Sequence, residues 1–193
     1  KKNIRFLSSP FSLERAKFLC EKLKMQTIKV ASSKMYEKNI LKYLNQKCKK
    51  IFLSTGMSTI GEIKNSLKYL SNPEVIIMHC VSEYPLSEKK ANLLAIKVLK
   101  KKFPKNQIGY SDHCIGSLAC LTAVTLGATV IEKHFTLNKK FKGTDHILSA
   151  DPVDLKIIKN DIGKILNLLG EEVKKPSTKE YKIKNFMRKR FVI

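Results

Sequence analysis

Apolar residues in this chain gather in short, nearly unbroken runs at 4–8, 27–31, 50–55, 74–80, 107–111 and 129–134, instead of alternating with polar ones. Runs of that length, rich in Ile, Val, Leu and Phe, are the pattern of strands buried on both faces, as in a parallel sheet. The stretches between them read as amphipathic helices. Three boundaries are marked: Thr59 with Glu62 as a capping box, Asp151 before Pro152 as an N-cap with proline in the first turn, and Gly170 closing the last helix. Strands feeding helices at this rhythm predict consecutive βα units, the repeat of a (β/α)8 barrel. Six units are expected where eight close a barrel, so the expected fold is α/β, a partial TIM barrel over residues 1–170.

Each run ends downstream in polar or ionisable residues: Ser8 and Ser9, Lys29 with Ser32, Ser54 and Thr55, His79 with Ser82, Ser111 to His113, and Glu132 with His134. In a barrel of this kind the C-terminal strand ends carry the chemistry. Alternation along a strand sorts these residues by face. It sets Lys29 toward the barrel interior, with Ile28 and Val30 toward the helices, and it gives His79 the inward parity of Val75 and Ile77. An ammonium in an apolar interior requires compensation, either from a phosphate or carboxylate ligand or from a paired core residue. Ser111 and His113 share one face, as do Glu132 and His134. Two imidazoles at adjacent strand ends are suited to a shared divalent metal, although by spacing alone histidines are more often hydrogen-bonded core residues. Ser9, Ser32, Ser54, Thr55 and Ser82 are small hydroxyls that hold anionic oxygens without bulk, or serve as turn residues. The segment 143–146 reads as a loop that closes over the site or as a plain surface turn.

Charge changes this picture little. Lys and Arg number 38 against 16 Asp and Glu, a formal net charge of +22. Only Arg5, Arg15, Arg188 and Arg190 are arginines, the side chain favoured for bidentate reading of phosphates and bases, so no specific nucleic-acid partner is expected. The positive field still draws anionic substrates. No apolar run reaches the length of a membrane span. The five cysteines have neither CxxC nor zinc-ribbon spacing, which favours reduced thiols and a cytoplasmic setting. Cys80 and Cys114 lie beside strand ends, but their apolar neighbours favour inert core thiols over a nucleophile. Beyond Gly170 the chain turns polar and lysine-rich without helical periodicity, and 171–193 is expected to be a linker. The chain begins at Lys1 without a Met or a signal-peptide pattern, which is expected either of a processed product or of part of a longer one.

Seven motifs carry a resemblance: FLSSPF at 6–11, IKVASS at 28–33, LSTGMST at 53–59, HCVSEYP at 79–85, GYSDH at 109–113, VIEKHFTL at 130–137 and GTDH at 143–146. Together they resemble the N-acetylneuraminate (sialic acid) synthase family, which includes legionaminate, pseudaminate and spore-coat polysaccharide synthases. The resemblance implies a (β/α)8 barrel followed by a small antifreeze-like domain that reaches a partner subunit's site, and hence a homodimer. It also implies condensation of phosphoenolpyruvate with an N-acylated mannose-type (N-acyl hexosamine) sugar, releasing phosphate, in the cytoplasmic synthesis of cell-surface polysaccharide. A divalent metal is implied as well, commonly Mn2+, with Mg2+ or Co2+ as substitutes.

Residue by residue, the resemblance implies that His113 and His134 are metal ligands and that Lys29, Ser32, Ser54, Tyr84 and Ser111 hold phosphoenolpyruvate. Ser9 stands where a threonine is frequent, and Ser82 where some members place asparagine. Asp145 matches an aspartate that contacts the sugar and His79 resembles a retained pocket residue; in the reaction so implied, Glu132 is a candidate proton-transfer or supporting group. This sequence lacks the first-strand AEIGxNHxG-like motif and the second-strand lysine of a KFQ-like motif, so it is expected to start at the third barrel strand, to stop before the antifreeze-like domain and to be inactive alone. Rival expectations are another phosphoenolpyruvate- or pyruvate-dependent aldose condensation on the same barrel, and a noncatalytic remnant or basic binding module.

Overall fold

Five of the six apolar runs pair side by side. In the computed structural model, which describes residues 4–189, they are β1 (Thr27–Val30), β2 (Lys50–Ser54), β3 (Glu74–Cys80), β4 (Gln107–Asp112) and β5 (Val130–Lys133). All neighbours are parallel and the order is β1-β2-β3-β4-β5. A parallel pair needs a crossover, and each gap holds one: α2 (Lys38–Lys47), α3 (Ile60–Leu67), α4 (Ala95–Lys102) and α5 (Leu118–Thr125). Ahead of β1, α1 (Leu13–Lys17) runs into a π-helical turn at Phe18–Lys22; α6 (Pro152–Leu169) and α7 (Thr178–Lys189) follow β5.

One face of the sheet builds the main core. Ile28, Val30, Ile51, Leu53, Val75, Ile77, Ile108 and Tyr110 pack against Ile40, Leu41 and Leu44 of α2, Ile63 of α3 and Ile96 and Leu99 of α4. The opposite face curls on itself. Strands sit about 4.8 Å apart, so a flat sheet would set β1 and β5 roughly 19 Å from each other. Instead Lys29 of β1 and Glu132 of β5 form a 2.9 Å ion pair across the concave side. The curled, open sheet wrapped by helices is a partial TIM barrel.

The run at 4–8 departs from expectation. It meets β1 through a single backbone hydrogen bond, Lys29 N–H to the Ser8 carbonyl at 3.1 Å, while Ile4 and Phe6 are 82% and 71% exposed. One bond is not a ladder, so the segment lies beside β1 without forming a strand. The parity assigned to His79 is also corrected. Val75, Ile77 and His79 share the helix-facing side, and the concave side of β3 belongs to Ile76, Met78 and Cys80, since Cys80 pairs in register with Ser111.

The predicted helix starts are present. Thr59 accepts from the Glu62 N–H while Glu62 accepts from the Thr59 N–H, and Asp151 accepts from the N–H groups of Val153 and Asp154 with Pro152 in the first turn. Gly170 ends α6 at φ 59°, a left-handed conformation that glycine adopts at no steric cost. The chain then forms α7 where an aperiodic linker was expected. The missed signal is a second capping box: Ser177 N–H donates to Glu180 and Glu180 N–H to Ser177 Oγ. The end of that expected linker, 190–193, lies outside the described residues. Among the described residues no helix is long and apolar enough to cross a membrane.

Candidate active site

At the C-terminal ends of β3, β4 and β5, three concave residues stand in register: Cys80 beside Ser111 beside Glu132. Lys29 reaches them from the far edge through its ion pair with Glu132 Oε1. This answers the question its inward position raised, because a carboxylate of the chain itself compensates the ammonium. The pair is only partly satisfied. Glu132 Oε2 and Ser54 Oγ, also on the concave face, are buried atoms without a hydrogen-bond partner among the described residues. Such orphans cost free energy in a closed interior, and they mark where a polar ligand would be favoured. Below them a cavity of about 710 Å³ is lined by Lys29, Phe52, Met78, Val130 and Glu132, among others.

A second group gathers over the end of β2. Ser32 Oγ accepts from the Gly56 N–H at 3.0 Å and lies 3.3 Å from Cys80 Sγ. Ser32 follows β1 and Cys80 ends β3, so the two meet only because residue 56 between them has no side chain. A Cβ there would stand 2.4 Å from Ser82 Oγ, 2.8 Å from Cys80 Sγ and 2.9 Å from Ser32 Oγ. Gly56 thus lets three small polar groups converge. Gly56 and Cys80 were not singled out as site residues from the sequence, although a glycine immediately after the polar end of a strand was the available signal. Thr55 is spent structurally, donating to the Met78 carbonyl at 2.9 Å. Ser9 is half-buried directly after Ser8, whose carbonyl holds β1.

The histidines form a third group. His113 and His134 lie with ring centroids 5.4 Å apart, and Tyr84 covers both at 4.0 and 5.8 Å. The His113 Nδ1 is 2.6 Å from the Val81 carbonyl, so Nδ1 carries a proton and Nε2 is left with its lone pair. Burial lowers the His113 pKa and the neighbouring His134 pushes the same way, against the Val81 carbonyl. Both effects favour the neutral imidazole that ligates metals. His134 Nδ1 is 3.8 Å from Asp145 Oδ2. The loop carrying Asp145 is pinned at its base by backbone bonds from Ala150 N–H to the His134 carbonyl and from Thr136 N–H to the Ala150 carbonyl, and Lys139 ties it to Asp154 of α6. The arrangement suits a divalent ion held at two points. Among the described residues no group of three or more His, Cys, Asp and Glu is disposed to bind one, so its other donors would be water or substrate.

His79 joins none of these groups. On the helix side, its Nε2 lies 3.0 Å from the Ala91 carbonyl and its ring stacks on Tyr110 at 5.7 Å. It borders a separate cleft of about 620 Å³ with Thr59, Ile63, Asn92 and Leu99.

Behind the histidines, on the same helix-facing side, lies a polar cluster that sequence reasoning also missed. Lys133 Nζ is 2.7 Å from Asp112 Oδ2, with side chains 5% and 0% exposed, and it also donates to the Cys114 carbonyl. Asp112 accepts in addition from Tyr110 Oη, the Cys114 N–H and Cys120 Sγ. Asp112 and Lys133 are register partners, and the residues that follow them are His113 and His134. Their pairing therefore sets the two imidazoles opposite one another.

A profile of the NeuB family matches residues 1–174. The chain is 42% identical over 197 residues to the N,N'-diacetyllegionaminic acid synthase of Campylobacter jejuni, covering all of this chain and 58% of that protein. It is 35% identical over 198 residues to the pseudaminic acid synthase of Helicobacter pylori, covering all of this chain and 57% of that one. Among solved structures, the N-acetylneuraminic acid synthetase of Leptospira borgpetersenii, in complex with citrate, superposes with a TM-score of 0.89 at 31% identity, over 96% of this chain and 65% of that one. A DAHP synthase of Thermotoga maritima shares the fold at a TM-score of 0.72 and 16% identity. The chain thus spans little more than half the length of the curated relatives it matches.

Proposed function

The chain belongs to the NeuB family, and from that premise we propose that its protein condenses phosphoenolpyruvate with an N-acylated mannose-type sugar, giving a nonulosonic acid and phosphate. The observation that carries the reading is the half-satisfied Lys29–Glu132 pair, set among converging hydroxyls on the concave face. In this reading Lys29 and the surrounding hydroxyls donate to an anionic substrate, while the open Glu132 Oε2 accepts from a proton donor such as water. The substrate's phosphate and carboxylate accept from Lys29 Nζ and from the hydroxyls of Ser32, Ser54, Ser82 and Ser111, and Ser9 and Tyr84 border the same space. Burial strengthens each of these charge-assisted contacts.

The methylene carbon of phosphoenolpyruvate forms the new bond to the sugar's aldehyde carbon, and the aldehyde oxygen takes a proton. Water adds at the former enol carbon, and that tetrahedral carbon expels phosphate to leave a 2-keto acid. Glu132 Oε2 is the acceptor for the proton this water gives up. His113 and His134 would hold the divalent ion, with Mn2+ the first choice, and a bound ion supplies Lewis acidity toward the aldehyde oxygen. Asp145, beside His134, accepts from the sugar's hydroxyls. We assign the condensation to the full-length protein, with this chain as its barrel portion; its homodimeric state and cytoplasmic setting are part of the same proposal.

The test is phosphate release and 2-keto-acid formation by the full-length protein given phosphoenolpyruvate and N-acetylmannosamine or a diacetylated analogue. Turnover that is lost on chelation and restored by Mn2+ is expected. His113→Ala and His134→Ala should each abolish Mn2+ binding, read by titration calorimetry, while leaving the circular dichroism spectrum unchanged. Full Mn2+ affinity in both variants overturns the ligand assignment, and release of phosphate only with phosphorylated aldoses overturns the sugar assignment.

A further inference from the structure

Ser32 Oγ has two neighbours: the Gly56 N–H at 3.0 Å, which can only donate, and Cys80 Sγ at 3.3 Å, where either atom can be the donor. A serine hydroxyl has one proton to give and two lone pairs to fill. With Gly56 on the first lone pair, the direction of the Ser32–Cys80 contact decides where the single proton goes. If Ser32 donates to sulfur, its proton is spent on a weak acceptor and is lost to any ligand. If Cys80 donates, both lone pairs are filled and the hydroxyl proton is free.

We infer that Cys80 is a positioning residue, acting through Ser32. It donates its thiol proton to Ser32 Oγ whenever an anion occupies the concave pocket, so that the Ser32 hydroxyl donates to that anion. An anionic oxygen is a far stronger acceptor than a thiol sulfur, and a chain running S–H to O–H to O⁻ is mutually polarising. The alternative direction would present the anion with a lone pair. The surroundings fit this task. Cys80 is 7% exposed, it stands in register with Ser111 on the concave face, and its sulfur lies over Gly56 where even a methyl group would be in collision. Ser54, on the same face, has a buried Oγ without a hydrogen-bond partner among the described residues, so a second hydroxyl there is open to an acceptor.

The inference deepens the proposed function and rests on its anion pocket, so the experiment separates the two. The dissociation constant for phosphoenolpyruvate is measured by titration calorimetry on the full-length protein and on Cys80→Ala, Cys80→Ser, Ser32→Ala and the Cys80→Ala/Ser32→Ala double variant, with melting temperatures alongside. One neutral hydrogen bond makes the expected weakening in Cys80→Ala about 3- to 10-fold. Cys80→Ser, which keeps a donor in place, should restore affinity to within about 2-fold of the parent, and the double variant should be no weaker than Ser32→Ala alone, because the two residues act as one unit. Additive losses in the double variant, equal weakening by Ser and Ala at 80, or parental affinity in Cys80→Ala overturns the role of Cys80 while leaving the pocket intact. Parental affinity in Ser32→Ala overturns the pocket reading itself. Should Cys80→Ala fail to fold, Cys80→Ser and Ser32→Ala still decide, since a Ser variant that folds and binds weakly is incompatible with a donor role.

Discussion

Two lysine–carboxylate pairs hold the β4–β5 side of this molecule, and they differ in how completely their atoms are satisfied. On the helix side, Lys133 and Asp112 are 5% and 0% exposed, and Asp112 gathers donors from Tyr110, Cys114 and Cys120. On the concave side, Lys29 and Glu132 are 21% and 36% exposed, and Glu132 Oε2 has no hydrogen-bond partner among the described residues. A saturated network fixes one geometry, and its value lies in register. A pair with an open acceptor has little to lose when its lysine turns to a new anion. Similar chemistry on opposite faces of one sheet therefore separates into framework and site.

The largest effect expected from this contrast is on the framework. Asp112→Ala leaves Lys133 buried without a counter-charge and should destabilise the protein by about 3–5 kcal/mol in denaturant unfolding. Adding Lys133→Met should recover part of that loss, because an apolar pair of similar size removes the orphaned charge. Equal stability of Asp112→Ala and the parent would break the distinction between the faces.

Next in size is Lys29→Met on the concave face. Losing a charge-assisted contact, on the order of 1.5–3 kcal/mol, should weaken phosphoenolpyruvate binding by about 10- to 150-fold. Folding stability should move by less than about 1 kcal/mol, since the pair is partly hydrated. A large stability loss with unchanged affinity would return Lys29 to the framework.

The smallest effect concerns His79. Burial lowers its pKa against the pull of the Ala91 and Asn92 carbonyls, so the unfolded chain binds its proton more readily than the fold does. The stabilisation from keeping it neutral is complete above the unfolded value of about 6.5 and is lost as pH falls toward the lower folded value. His113, shifted the same way, adds to that slope. In His79→Gln, the fall in melting temperature between about pH 6.5 and pH 5 should be shallower than in the parent. An identical profile would show that folding leaves the His79 pKa unchanged and overturn the burial effect.

Much of this was legible in order along the chain. Strands β1 to β5, the caps at Thr59 and Asp151, and the pairing of Ser111 with His113 and of Glu132 with His134 follow from period and local hydrogen bonding, which depend on near neighbours in sequence. The run at 4–8 failed because apolar composition states that a segment wants burial, not that a ladder awaits it. The parity of His79 failed because β3 is apolar on both faces, so alternation within the strand says which residues share a side and nothing of which side is concave. The helix at Thr178–Lys189 was missed on composition, although Ser177 and Glu180 announce its start.

By itself, then, the sequence determined the alternation of strands and helices, the polar strand ends and the family, all written in short windows of residues. Only the tertiary structure decided that Lys29 meets Glu132 across the curled sheet, that Ser32 and Cys80 touch over Gly56, and that Asp112 and Lys133 set the register of the two histidines. Those contacts join residues 21 or more positions apart, and their existence depends on curvature and strand register, quantities set by the packing of the whole sheet and carried by no single segment.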